Sequence, residues 1–353
     1  MNVALVTTAP VPGGVWRHIA DLGRGLAERG CQVSYCVRQD ARGVWSAAEA
    51  DGLRPVPIRR ALRSRPDVVH VHLHDTYEPA IAAWLARWAP AARAIATEHL
   101  PRTNASDPAL LPGRRRAGAY AAKTAFKRAQ FALVRRVIAV SHGSADFLTR
   151  RYGVRAPRLA VIPNGVRVRE TAVAPQPVGP LRAVVLANLV RQKGVDVLVR
   201  AAAKAQREWT VDVLGEGSAR ATIEALIARE GGERVRLRGW VADPAAWVAR
   251  ADVVVVPSRW ESMPYAAAEA MASGRPVVAS RVDGLSELVV HEHTGLLVAP
   301  ESPRELVDAL DRLASDRELA AAMGAAGRRR VARHYGLGQM VDATLALYEE
   351  SRG

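Results

Sequence analysis

Cysteine is almost missing from this chain of 353 residues: Cys31 and Cys36 are the whole complement. One close pair around an expected strand excludes a disulfide framework and predicts two buried thiols of a reducing cytoplasm. Long apolar runs are missing as well. The best candidate, Ala80 to Ala96, is interrupted by Arg87, Pro90 and Arg93, so no membrane span is expected. The first residues carry neither a basic n-region nor a long apolar h-region, and Met1 to Thr8 reads as a first strand rather than a secretory leader.

What is present points to a globular protein of two domains. Apolar residues make up 49% of the chain, and 353 residues exceed what one core usually serves. The net charge of +15 is uneven: residues 1–170 hold 27 Lys and Arg against 12 Asp and Glu, whereas residues 171–353 hold 23 of each. All the excess lies in the first half, which predicts an anionic partner there: a membrane surface, an acidic acceptor or nucleic acid.

Strands and helices alternate along the first half. Val3 to Thr7 is the first strand, and Gly13-Gly14 lies at the turn into a helix from Val15 to Arg29. That glycine pair permits close backbone approach to a ligand at a helix N-terminus, and a structural turn explains it equally well. Asp67 to His74 is a strand that places His70, His72 and His74 on one face. Zinc is conceivable there, but a substrate pocket at a parallel strand end is the expected use. His99 follows the strand Arg93 to Thr97, open between a structural and a catalytic role.

A helix is expected from Arg114 to Arg136, with Ala119, Ala122, Phe126, Ala129 and Leu133 as its apolar stripe. Arg116, Tyr120, Lys123 and Lys127 share another face, either solvated or adsorbed to anionic lipid at the inner face of a membrane. Asn164-Gly165 turns the chain out of the last strand of this half. Residues 167–181 then read as an extended proline-bearing linker.

The second half opens with the strand Arg182 to Ala187, whose loop carries Arg191 and Lys193. Two cations there suit a diphosphate, although surface solvation explains a lone Arg-x-Lys. Gly215 and Gly239-Trp240-Val241 follow two later strands. Two α/β halves joined by a linker imply a cleft between them. Beyond Glu301 the chain reads as helical, broken near Gly324 and Gly327, with a last helix at about Gly338 to Glu350.

The most informative stretch is Pro257 to Ala279. It follows the apolar run Val253 to Val256, the mark of a strand buried on both faces of a parallel sheet. Pro264 is placed as the first helical residue, and Gly274 ends the helix. Glu261 in the loop and Glu269 on the helix are eight residues apart, so both can face one side. Solvated glutamates are the plain reading of that pair. Free amides at Met263 and Tyr265 between the carboxylates suit a polyhydroxyl ligand carrying phosphate.

Glu261 to Glu269, Ala-Met-Ala-x-Gly-x-Pro-Val-Val-Ala and Gly295 to Val298 together resemble the E-x7-E signature of the retaining glycosyltransferases of family four. Further matches are Gly13-Gly14, the His70 to His74 strand, Thr97-Glu98-His99, Val140-Ser141, Ile162 to Gly165, Lys193-Gly194, Gly215-Glu216-Gly217 and Gly239. The resemblance implies the GT-B fold: two Rossmann-like domains with parallel sheets facing a cleft, and a C-terminal helix crossing back to the first domain. Residues 1–166 become an acceptor domain, 182–336 a nucleotide-sugar domain, and 337–353 the returning helix.

The same resemblance assigns Lys193 to the diphosphate, Glu269 to the ribose hydroxyls, and Glu261 with Ser262, Met263, Pro264 and Tyr265 to the donor sugar. Gly215 and Val241 lie on the donor side. His99 stands beside the reacting centre with Glu261, Gly13 and Gly14 approach the diphosphate or the acceptor, and His72 and Asn164 lie on the acceptor side. Where the family carries Arg, this chain has Asn188, with Arg191 as the replacement charge. The implied activity is retaining hexosyl transfer with a nucleotide sugar as co-substrate and no metal or other cofactor. The acceptor is a glycan, a lipid-linked sugar or a small molecule, in the cytoplasm or at its membrane, and no nucleic-acid partner is implied. The alternatives are a glycan phosphorylase or sugar-nucleotide epimerase on the same fold, and a non-catalytic protein binding nucleic acid or membrane through its basic half.

Overall fold

Short β-branched runs build two all-parallel sheets, as expected for strands buried on both faces. The computed structural model describes residues 1–7, 9, 13–38, 41–58, 60, 65–73, 93–100, 114–168, 179–230 and 234–351, without the side chains of 93 and 114–120. The chain divides into two units, Met1–Gly165 with Leu337–Gly353, and Val166–Gly336.

The first unit holds β1 (Asn2–Thr7), α1 (Gly14–Glu28), β2 (Gln32–Val37), α2 (Arg42–Ala50), β3 (Pro55–Pro57), β4 (Val68–Leu73), β5 (Arg93–Glu98), α3 (Arg114–Ala132), β6 (Arg136–Ala139), α4 (His142–Phe147) and β7 (Leu159–Val161). Its seven strands run in the order β3-β2-β1-β4-β5-β6-β7. The second unit holds β8 (Leu181–Leu186), α5 (Val195–Ala202), β9 (Trp209–Leu214), α6 (Arg220–Glu230), β10 (Val235–Gly239), α7 (Pro244–Arg250), β11 (Val253–Val256), α8 (Tyr265–Ala272), β12 (Val277–Ser280), α9 (Asp283–Leu288), β13 (Gly295–Val298), α10 (Pro303–Ser315) and α11 (Arg317–His334). Its six strands run β10-β9-β8-β11-β12-β13. In both sheets the winding reverses beside the first strand, between β1 and β4 and between β8 and β11. Crevices for ligands open beyond the carboxyl ends of strands at such points.

The last helix, α12 (Leu337–Glu350), belongs to the first unit. Val341 and Tyr348 are fully buried, and a Cβ on Gly25 of α1 would stand 2.5 Å from Val341. The Tyr348 hydroxyl lies 2.6 Å from His70 Nδ1 on β4, while Thr97 Oγ1 of β5 lies 2.7 Å from His70 Nε2. Burial drives the His70 pKa down to about 3, so the ring is neutral and donates through one nitrogen while accepting through the other.

Several expectations change. On α3 the buried side chains are Lys127, Gln130 and Phe131, while Ala122 and Ala129 are exposed. The helix thus packs through a different face from the alanine stripe. Alanines bury little apolar area, whereas Phe131 packs in the core and Lys127 has an ionic partner, Glu98, to satisfy it. α11 runs unbroken through Gly324 and Gly327. Gly324 answers a close approach instead: a Cβ there would lie 2.1 Å from the Gly274 carbonyl oxygen, whereas one at Gly327 would make only ordinary contact with Met271. Pro264 is the cap before α8 rather than its first residue, with φ −73° and ψ 127°. His74, residues 169–178 of the expected linker and residues 74–92 lie outside the described residues. Cys31 and Cys36 are free and buried, and among the described residues no helix is long and apolar enough to cross a membrane.

Replacing Tyr348 by Ala removes a fully buried ring, so the urea midpoint should fall by the equivalent of about 3–5 kcal/mol. Tyr348→Phe, which loses only the contact to His70, should cost about 1 kcal/mol.

Candidate functional site

In the second unit the loops that follow β8 and β11 meet at the point where the winding reverses. The loop after β8 closes with a 3-10 turn, Arg191–Lys193, and Gly194 at φ +63° then opens α5. A Cβ on Gly194 would stand 1.9 Å from the Pro257 carbonyl oxygen, so only glycine lets these loops touch. The Lys193 ammonium donates to Glu261 Oε1 at 2.6 Å, and Ser258 Oγ donates to the same oxygen at 2.9 Å. Glu261 is 7% exposed. A small pocket opens here, with Lys193, Ser258, Glu261 and Pro264 in its wall.

Arg259 ties these loops together, although the sequence patterns did not single it out. Its two terminal nitrogens donate to the Asp196 carboxylate, both at 2.8 Å, and one of them also donates to the Arg191 carbonyl at 2.6 Å. Its Nε reaches Glu301 Oε1 at 2.6 Å. A two-pronged ion pair of this kind restricts both partners to one geometry. The hydrogen bonds that Arg259 donates to Asp196 lead in raising its pKa, against the cost of burial. Burial opposes the Asp196 carboxylate, but hydrogen bonds and charge from Arg259 and then Arg200 outweigh it and hold its pKa low. Backbone contacts complete the lacing: the Arg259 amide donates to the Gln192 carbonyl, and the Gln192 side chain donates to the Trp260 carbonyl.

The loop between Glu261 and α8 is supported from beneath by Gly284, also absent from the sequence expectations. A Cβ there would lie 1.2 Å from the Ser262 carbonyl oxygen. Ser262 and Met263 are buried, Pro264 and Tyr265 half-buried, and Pro264, the residue before α8, supplies no side-chain cap. Glu269 stands in the second turn of that helix and is partly buried. Asn188 and Arg191 are exposed. Gly215 donates from its amide to the Gly239 carbonyl at 2.7 Å, so the turns after β9 and β10 are joined, with half-buried Val241 beyond them.

The first unit presents a second cluster at its own reversal point. His72 stands at the carboxyl end of β4, between Thr7 of β1 and Thr97 of β5. His72 Nδ1 lies 3.2 Å from His99 Nε2, and His18 of α1 lies 3.1 Å through Nδ1 from Asn164 Oδ1. His18 was not anticipated; its place four residues after Gly14 on the inner face of α1 was the available signal. Burial lowers the His18 pKa to about 4 against the Asn164 hydrogen bond, and burial likewise lowers that of His72. Gly13 caps α1 in an extended conformation with φ −177°, and a Cβ there would meet none of the described residues within 4 Å. Next to His99, Glu98 is fully buried and accepts from the Lys127 ammonium at 2.7 Å. Lys127, expected on a basic face either solvated or against anionic lipid, is instead inside. Glu261 and His99 belong to different units.

Comparison with known proteins follows this division. The profile described as Glycosyltransferase Family 4 matches residues 12–170, and that described as Glycosyl transferases group 1 matches residues 180–316. A D-inositol 3-phosphate glycosyltransferase of Xylanimonas cellulosilytica is 33% identical, over 96% of this chain and 92% of its own length. Among solved structures, Anabaena HepE in complex with UDP superposes with a TM-score of 0.81 at 19% identity, covering 99% of this chain and all of that one. Sucrose-phosphate synthase of Thermosynechococcus elongatus gives 0.80 at 23% identity, with 99% and 98% covered. At those identities the two structures establish the GT-B fold.

Two stability measurements test the architecture of the clusters. Lys127→Met leaves the Glu98 carboxylate buried without its cation and should cost about 3–5 kcal/mol in chemical denaturation; adding Glu98→Gln should recover most of the loss. Asp196→Asn should cost about 1–3 kcal/mol at neutral pH. Because the folded Asp196 pKa lies below its usual value of 3.8, this stabilisation is complete above that pH and is lost as pH falls through the folded value. The gap between variant and parent should therefore close in strong acid.

Proposed function

This chain belongs to the family 4, group 1 glycosyltransferases, and we propose that it moves a hexosyl group from a nucleotide-diphosphate sugar to an acceptor hydroxyl, with retention and without a metal. The observation that carries this is the Lys193–Glu261 contact of 2.6 Å at the carboxyl edge of the second sheet, beside the start of α8. Lys193 and Arg191 hold the diphosphate, the first as the fixed charge and the second, exposed, in place of the arginine that Asn188 does not supply. The amides from Ser262 to Tyr265 and the Glu261 carboxylate hold the sugar. Glu269 accepts from the ribose hydroxyls, and Gly215 and Val241 lie on the donor side.

Positive charge and the helix N-terminus stabilise the leaving diphosphate as the glycosidic bond breaks. The acceptor hydroxyl attacks from the leaving-group face and a phosphate oxygen takes its proton. In the first unit, His99 is the group beside the reacting centre; Gly13, Gly14, His72 and Asn164 form the acceptor side. The positive excess of residues 1–170 favours an anionic acceptor. A phosphorylated small molecule is supported by the name of the Xylanimonas relative, while the burial of Lys127 weakens the case for a lipid-facing α3.

Calorimetric titration with nucleotide diphosphates and their sugars in chelator tests the donor site, beginning with UDP, the ligand of the HepE structure. One nucleotide should bind. Its affinity should fall roughly 10²-fold or more in Lys193→Ala, where a charge on the diphosphate is lost, and less in Glu269→Ala. No binding across the panel would overturn the proposal.

A further inference from the structure

Arg259 joins three loops at the carboxyl edge of the second sheet. Its terminal nitrogens donate to the Asp196 carboxylate in the first turn of α5 and to the Arg191 carbonyl in the loop after β8, and its Nε donates to Glu301 in the loop after β13. We propose that Arg259 is a positioning residue for the donor site: by tying these loops it sets where Lys193 stands against Glu261, and so sets the affinity for a nucleotide diphosphate. The proposal rests on the donor reading of that site.

Little chain separates Arg259 from either pocket group. Arg191 lies two residues before Lys193, and Glu261 two residues after Arg259. The first stretch is a 3-10 turn closed by Gly194, which rests against the Pro257 carbonyl. The second is pinned by the Arg259 amide on the Gln192 carbonyl at 2.8 Å and by the Gln192 side chain on the Trp260 carbonyl at 3.0 Å. Displacing the guanidinium therefore shifts both pocket groups, since so short a span of hydrogen-bonded chain has few soft torsions to absorb the movement.

Stability alone does not call for this ion pair. The Arg259 side chain is 10% exposed, and an apolar side chain of similar size would fill its place without the desolvation of a cation. What the two-pronged pair adds is one fixed geometry. Glu301 follows the same rule: it stands at φ +59°, left-handed backbone that a non-glycine residue adopts at a cost, and its carboxylate meets Arg259 Nε at 2.6 Å. Arg200 supplies the contrast. It pairs with the same Asp196 carboxylate at 3.0 Å, but from one turn along α5, so it links no loops. Asp196 thus keeps a cation when Arg259 is replaced, and the variant should fold.

The test compares the full chain with Arg259→Gln, Arg259→Lys and Arg200→Gln, each checked for folding by thermal unfolding. The first readout needs no nucleotide: the rate of reductive methylation of Lys193, followed by mass spectrometry. Lys193 is partly exposed but held by Glu261, so its methylation should quicken severalfold in Arg259→Gln and keep the parent rate in Arg200→Gln. Arg259→Lys should resemble Arg259→Gln, because one ammonium cannot reproduce the two-pronged contact. The second readout is calorimetric affinity for the nucleotide diphosphate that the parent binds, with UDP tried first. It should fall by roughly tenfold or more in Arg259→Gln and by less than about twofold in Arg200→Gln, whose pair lies within one helix. Parent-like methylation or parent-like nucleotide affinity in the folded Arg259→Gln variant, or an equal change in Arg200→Gln, would overturn the proposal. A parent that binds no nucleotide would overturn the donor reading instead, and the methylation rates would still decide whether Arg259 sets the place of Lys193.

Discussion

The second unit depends on one ion pair that touches no proposed ligand. Arg259 holds Asp196 with both terminal nitrogens and the Arg191 carbonyl with one of them. Asp196 lies in the first turn of α5 and Arg259 follows β11, so the contact binds the two loops flanking the point where the winding reverses. Lys193 sits between these anchors on one loop and Glu261 two residues beyond Arg259 on the other. Their 2.6 Å separation is therefore a property of the frame rather than of two long flexible side chains meeting in water. Unlike exposed pairs, whose geometry is averaged and screened, a half-buried two-pronged pair holds position.

All-parallel sheets explain why the chemistry gathers at strand ends. Strands β4, β5, β8 and β11 are buried throughout their described side chains or nearly so, and polar groups within them must find partners inside the protein. The first unit obeys this with neutral rings and one buried ion pair. His70 divides its two nitrogens between the last helix and the neighbouring strand, and Glu98 has Lys127. Behind His99 the His70 ring and the Glu98–Lys127 pair find their partners inside the protein, and His99 itself is partly exposed. The polarity of the site begins where the buried layer stops.

Close approach is the other recurring constraint. Gly194 lets one loop lie against the Pro257 carbonyl, and Gly284 lets the Ser262 carbonyl rest on α9. Both glycines shape the backbone that flanks Glu261 without themselves carrying chemistry. The loop from Glu261 to Tyr265 is therefore shaped from three directions: by Lys193 and Ser258 through the carboxylate, by Arg259 through its root, and by Gly284 from below.

The alternation of strands and helices was legible in the chain itself, because period-two and fully apolar runs bounded by glycine and proline obey local rules. So were the neighbourhoods of Lys193, Glu261, Glu269 and His99, since each follows a strand end and local pattern says where strands end. Helix faces were less legible. On α3 the alanine stripe pointed the wrong way, because its apolar residues are too small to decide a packing face and Lys127 could turn inward only once Glu98, 29 residues earlier, was there to meet it. Gly324 of α11 looked like a break for the same reason: its meaning lies in Gly274, 50 residues away. By itself the sequence determined two α/β halves and the loops that carry their polar residues. Only the tertiary structure decided that Arg259 braces those loops and that His18, His72 and His99 converge, because long-range partners select which charges are buried and which rings meet.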